Sequence, residues 1–78
     1  MNVLTKDIKL QHIVFKLDKM HILTNKEEYV FDLNRVSKKL LNASDIERML
    51  YKISPSGYGI HWPLIDEDLS FSALLSNL

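Results

Sequence analysis

Cysteine is absent from this chain of 78 residues. That excludes disulfides, thiolate nucleophiles and zinc sites built on Cys. Glycine and proline are scarce, at two each. Gly57 and Gly59 alone cannot build a glycine-rich phosphate loop. No apolar run approaches the roughly 18 residues of a membrane helix. No basic start followed by an apolar stretch marks a secretion signal. The pattern G-x-S-x-G is missing too, and Ser44, Ser54, Ser56 and Ser70 fall at candidate caps and loops rather than beside a base. What remains is one domain over residues 1–78, expected to be soluble and cytoplasmic.

What is present is ordinary for a globular protein: 46% hydrophobic and 26% charged residues. A chain this short buries only about 60% of its unfolded surface. A homo-oligomer or a partner therefore stands to add stability. Formal net charge is zero, but it is divided: all ten Lys and Arg lie in residues 1–52, which carry +3, and residues 53–78 carry −3. The acidic part holds only Asp66, Glu67 and Asp68. Such a division suits docking to a charged protein, or contact between the two ends of one chain. A neutral chain lacks the phosphate-neutralising excess of a general nucleic-acid binder.

Periodicity separates two regimes. Residues 8–15, Met20 to Thr24 and Glu28 to Asp32 are rich in β-branched and aromatic residues and read as three strands. Leu17-Asp18-Lys19 and Asn25-Lys26-Glu27 connect them, which makes an antiparallel meander. The spacing then lengthens to about 3.6. Leu33, Val36, Leu40 and Leu41 predict a short amphipathic helix. Ser44-Asp45-Ile46-Glu47 is a capping-box sequence. Ile46, Met49, Leu50 and Ile53 behind it, at i, i+3, i+4 and i+7, predict a second helix. Ser54 to Gly57 reads as a loop. Tyr58 to Trp62 reads as a strand returning to the sheet, ended by Pro63. Ser70 is placed to cap a last helix carrying Phe71, Leu74, Leu75 and Leu78 on one face. The order β-β-β-α-α-β-α predicts an α+β fold: a small antiparallel meander with a returning fourth strand, packed with two to three short helices.

Several residue groups invite a chemical reading. His12 and His21 fall on the same face if Phe15 pairs with Met20, and with Asp66 or Asp68 they sketch a metal site for a small hydrolase. No short ligand spacing supports it, and surface histidines are the plainer reading. Asp66-Glu67-Asp68 lacks the alternation of a calcium loop and reads more simply as a solvated turn, with Asp68 favourably near a helix N-terminus. Arg35, Lys38 and Lys39, extended by Arg48 and Lys52, form a basic surface suited to phosphates or merely to solvent. Tyr58, Ile60 and Trp62 share one strand face, and Gly59 and His61 the other. Such an aromatic face is either core or a binding hot spot. No metal and no cofactor is indicated.

The runs L-L-N-A-S-D-I-E-R and G-Y-G-I-H-W-P-L-I-D-E-D-L-S, followed by Leu74-Leu75, resemble the bacterial family known as domain of unknown function 2442. The likeness spans essentially the whole chain and is concentrated in residues 57–75. The turn Asn25-Lys26-Glu27 departs from the Asp-Gly or Asn-Gly type usual there. The resemblance implies a small α+β fold without known enzymatic activity and with no catalytic residues to carry over. It also implies pairing with a small protein encoded by an adjacent gene, as the antitoxin of a toxin–antitoxin pair. The expectation is a non-enzymatic protein-binding module contacting its partner through Tyr58, His61, Trp62, Asp66, Glu67 and Asp68. Nucleic-acid binding through Arg35, Lys38, Lys39, Arg48 and Lys52 is the alternative, and the metal-dependent hydrolase the second.

Overall fold

The computed structural model describes residues 8–55 and 58–77. Ser56 and Gly57 of the expected loop, and Leu78 of the expected last helix, lie outside the described residues. The fold is α+β, as the residue pattern requires. Strands β1 (Leu10–Lys16), β2 (Lys19–Thr24) and β3 (Glu28–Asp32) form an antiparallel meander in the order β1-β2-β3. Phe15 pairs with Met20, Ile13 with Ile22, and Met20 with Phe31. One face of this sheet is therefore apolar. The register shifts between Leu10 and His12. An extra residue in one strand reverses the side-chain alternation, which is why Leu10 and Ile13, three apart, are both buried.

The two hairpin connections are built differently. Asn25 does not adopt the left-handed backbone. Thr24 Oγ1 accepts from the N–H groups of Lys26 and Glu27, and Asn25 Oδ1 accepts from Lys9 N–H. The left-handed residue is Leu17, with φ of 57°. The pair Lys16–Lys19 leaves only Leu17 and Asp18 in that turn, and a two-residue hairpin of this kind needs positive φ.

A single helix through Leu33–Leu41 is replaced by two single turns, α1 (Leu33–Val36) and α2 (Lys38–Leu41). Asp32 caps the first by accepting from Asn34 N–H at 3.0 Å. Ser37, extended at φ −162°, ends α1 and caps α2 by accepting from Leu40 N–H. The expected capping box opens α3 (Asp45–Met49): Ser44 Oγ accepts from Glu47 N–H, and Glu47 accepts from Ser44 N–H.

The returning strand does not rejoin the meander. It becomes the centre of a second antiparallel sheet, β4 (Lys52–Ile53), β5 (Gly59–Trp62) and β6 (Glu67–Ser70), in the order β4-β5-β6. Pro63 to Asp66 close the β5–β6 hairpin, with Asp66 at φ 51°. Ser70 then caps α4 (Phe71–Leu75), accepting from Ala73 N–H. The apolar faces of both sheets enclose one core, with Met20, Ile22, Leu33, Leu40, Trp62 and Phe71 as its largest fully buried side chains. Phe15 of the first sheet meets Trp62 of the second edge to face, with centroids 6.4 Å apart.

Candidate functional site

The Gly-Tyr-Gly-Ile-His-Trp run around β5 divides by strand alternation. Ile60 and Trp62 point into the core, 2% and 0% exposed. Trp62 Nε1 donates to the Arg48 carbonyl at 3.1 Å, so even its polar atom is satisfied internally. Trp62 is therefore a core residue and offers no surface to a partner, contrary to the expectation for it. Tyr58, Asp66 and Asp68 are exposed, and His61 is half-buried on the outer face of the second sheet.

The acidic triplet does not act as one group. Asp66 occupies the hairpin turn, and its carbonyl accepts from Lys39 Nζ at 3.0 Å. Glu67 turns toward the helices. Its Oε2 accepts from Ser37 Oγ at 2.5 Å, tying β6 to the α1–α2 junction. Asp68 pairs across the strands with His61, Oδ1 lying 2.7 Å from Nδ1. Glu67 and Asp68 thus belong to a strand rather than to a solvated loop, since they continue the ladder opposite Trp62 and His61.

The outer face of the second sheet holds the row Lys52, His61 and Asp68, one residue from each strand. Beside it lie Gly59 and Ser70. Ser54 Oγ accepts from the N–H groups of Tyr58 and Gly59 and fixes the entry to β5. An open, mainly apolar concavity of about 980 Å³ covers this face, with Ile53, Pro55 and Ala73 among its walls.

The three histidines are dispersed into separate pairs. His12 Nδ1 lies 3.2 Å from the Tyr51 hydroxyl, and His21 Nδ1 lies 2.5 Å from Glu28 Oε2. The Phe15–Met20 pairing does put His12 and His21 on one face, but each has its own neighbour and Asp66 and Asp68 lie on the other sheet. Among the described residues no three His, Asp or Glu side chains converge as metal ligands. Tyr29 donates to Glu27, and burial together with that carboxylate pushes its pKa up.

The basic surface is broken by Arg48, which is 9% exposed. Its Nε donates to the Leu40 carbonyl, Nη2 to the Leu41 carbonyl and Nη1 to the Leu17 carbonyl, at 3.0, 3.1 and 2.8 Å. The guanidinium lies 5.2 Å from the Phe15 ring centroid. It caps the C-terminal carbonyls of α2 and anchors the strained turn, so no phosphate can reach it in this fold. Lys39 is engaged with Asp66, leaving Arg35, Lys38 and Lys52 exposed on different elements.

Placing Arg48 inside turns α3 over. At about 100° per residue, Ile46 and Leu50 lie on the far side of the helix from Arg48, with Met49 next to them. They are 68%, 50% and 72% exposed. The helix ends at Met49, and Ile53 belongs to β4. Leu17, whose carbonyl Arg48 holds, is 91% exposed. The spacing of Ile46, Met49 and Leu50 marks a shared helix face but not the direction it points. The available signal was Arg48 itself, set at the helical position opposite the apolar stripe.

A two-sheet α+β domain with an exposed apolar helix face defines the class of this protein. The chain belongs to the family described as protein of unknown function (DUF2442), whose model matches residues 13–78. Comparison with curated proteins gives no match. Its fold is similar to the crystal structure of a protein of unknown function from Rhodospirillum rubrum ATCC 11170. The two share 23% identity with a TM-score of 0.73, covering 92% of this chain and 89% of the other.

Proposed function

We propose that this protein is a non-enzymatic protein-binding module, the antitoxin member of a two-gene pair, which neutralises a small partner by covering its surface. The observation that supports this reading is the exposed apolar face of α3. Ile46, Met49 and Leu50 face outward from a helix whose inward position is an arginine, and that arginine holds the carbonyl of Leu17, itself exposed on the β1–β2 turn. Clustered exposed apolar side chains of this kind are characteristic of protein interfaces. Leu17 adds a second argument. A leucine at positive φ is strained by roughly 1–2 kcal/mol relative to a relaxed conformation; the two-residue turn requires that backbone and Arg48 holds its carbonyl, while the side chain stays 91% exposed. Its side chain is thus available for a partner.

Antitoxin action needs only affinity and coverage, which fits a site with apolar anchors. The test is co-expression with the product of the adjacent gene. The expected result is a stable complex and restored growth, both lost in Met49→Glu while the thermal midpoint of the free protein is unchanged. Absence of a complex with the native chain would sink the reading. Nothing in the geometry favours the nucleic-acid alternative, because Arg48 is enclosed and the remaining cations are scattered.

A further inference from the structure

We propose that the outer face of the second sheet is a two-fold interface between two copies of this chain. This surface is separate from the α3 surface and does not depend on the antitoxin reading. The row Lys52, His61 and Asp68 crosses the sheet from β4 to β6, with the His61 ring 2.7 Å from the Asp68 carboxylate. It has a cationic end, an anionic end and a ring between them. Neighbouring strands lie about 4.8 Å apart and stacked sheets about 10 Å apart. Lys52 and Asp68 are therefore about 10 Å from each other across the row.

A surface complementary to such a row must carry the same charges in reverse order. A second copy supplies that order when the two-fold axis runs along β5 in the plane between two stacked sheets. Lys52 of each copy then stands over Asp68 of the other, and the two His61 rings meet near the axis. An interface of this kind is self-complementary, as two-fold symmetry requires.

Gly59 supplies an independent observation. A Cβ there would meet Leu69 O at 3.7 Å and Ser54 Oγ at 3.9 Å, which are ordinary contacts, and its backbone is not left-handed. The fold therefore does not demand glycine at this strand position, where it is destabilising by roughly 0.5–1 kcal/mol relative to alanine. What the missing side chain provides is bare backbone beside His61, on the exposed face. That opens space for the two imidazoles between closely stacked sheets. Pro55 and Ala73 give the same concavity an apolar rim.

The test is sedimentation equilibrium of the purified chain from micromolar to millimolar concentration, with charge reversals in the row. The expected result is a dimer whose dissociation constant rises about tenfold or more in Lys52→Glu and in Asp68→Lys. The double variant Lys52→Glu/Asp68→Lys should restore the native value. Gly59→Arg should give a monomer with its circular dichroism and thermal midpoint retained. A native chain that stays monomeric at millimolar concentration overturns the proposal. So does a dimer whose affinity ignores both charge reversals. Loss of adjacent-gene-product binding in Lys52→Glu, with no change in self-association, would assign this face to the partner instead and equally overturn it.

Discussion

Arg48 decides more of this molecule than any other single residue. Its guanidinium joins three carbonyls from two segments, its ring contact is with Phe15, and its own carbonyl accepts from Trp62. Arg48→Met keeps most of the side-chain volume but leaves the carbonyls of Leu17, Leu40 and Leu41 without their cationic donor. Hydrogen bonds to a charged group contribute roughly 1.5–3 kcal/mol each at most. The variant should therefore lose about 3 kcal/mol in urea unfolding once partial rehydration is allowed for. A loss below 0.5 kcal/mol, on the order of an ordinary surface change, would remove Arg48 from this central place. Leu17 makes the opposite prediction. Leu17→Gly relieves the left-handed strain and exposes less apolar surface. It should raise stability by roughly 0.5–1 kcal/mol while weakening partner capture. A residue replaced with a gain in stability and a loss in binding is one kept for binding.

At the scale of elements, the meander and the helix caps were legible because local chemistry determines them. The Phe15–Met20 pairing follows from alternation, and Ser44, Glu47 and Ser70 cap where their spacing to the next N–H groups requires. The second sheet was not legible in the same way. Lys52–Ile53 is too short for any periodicity, and Glu67 and Asp68 look like loop residues until a neighbouring strand pairs with them. The break at Ser37 was hidden for a similar reason, since its hydroxyl is committed to Glu67, 30 positions away. Apolar spacing in Ile46, Met49 and Leu50 was legible, but not its direction. A stripe reports which residues share a face; it does not report whether the core lies on that face. The α1 cap has a testable acid dependence. Its bond to Asn34 N–H, aided by Lys19, holds the Asp32 carboxyl below its ordinary pKa of 3.8 against the opposing effect of burial. A lowered folded value means stabilisation that is complete above the ordinary value and lost as pH falls through the folded one. In thermal unfolding scans from pH 5 downward, the native chain should lose an increment that Asp32→Asn, which keeps a capping oxygen, does not.

The whole molecule is a small core between two three-stranded sheets, with its chemistry displayed outward on two surfaces. The charge division in the sequence, +3 before residue 53 and −3 after it, resolves partly into internal contacts, since Lys39 reaches the Asp66 carbonyl and Glu67 reaches Ser37. No helix among the described residues is long and apolar enough to cross a membrane. The proposed partner would cover the exposed apolar face of α3. Calorimetric titration of the purified adjacent-gene product into this chain, native and Met49→Glu, tests that proposal most directly. Saturable binding is expected for the native protein with a negative heat-capacity change, the mark of apolar burial, and affinity at least about tenfold weaker in the variant, the equivalent of about 1.4 kcal/mol. Binding of equal strength in both proteins, or none in either, would contradict it.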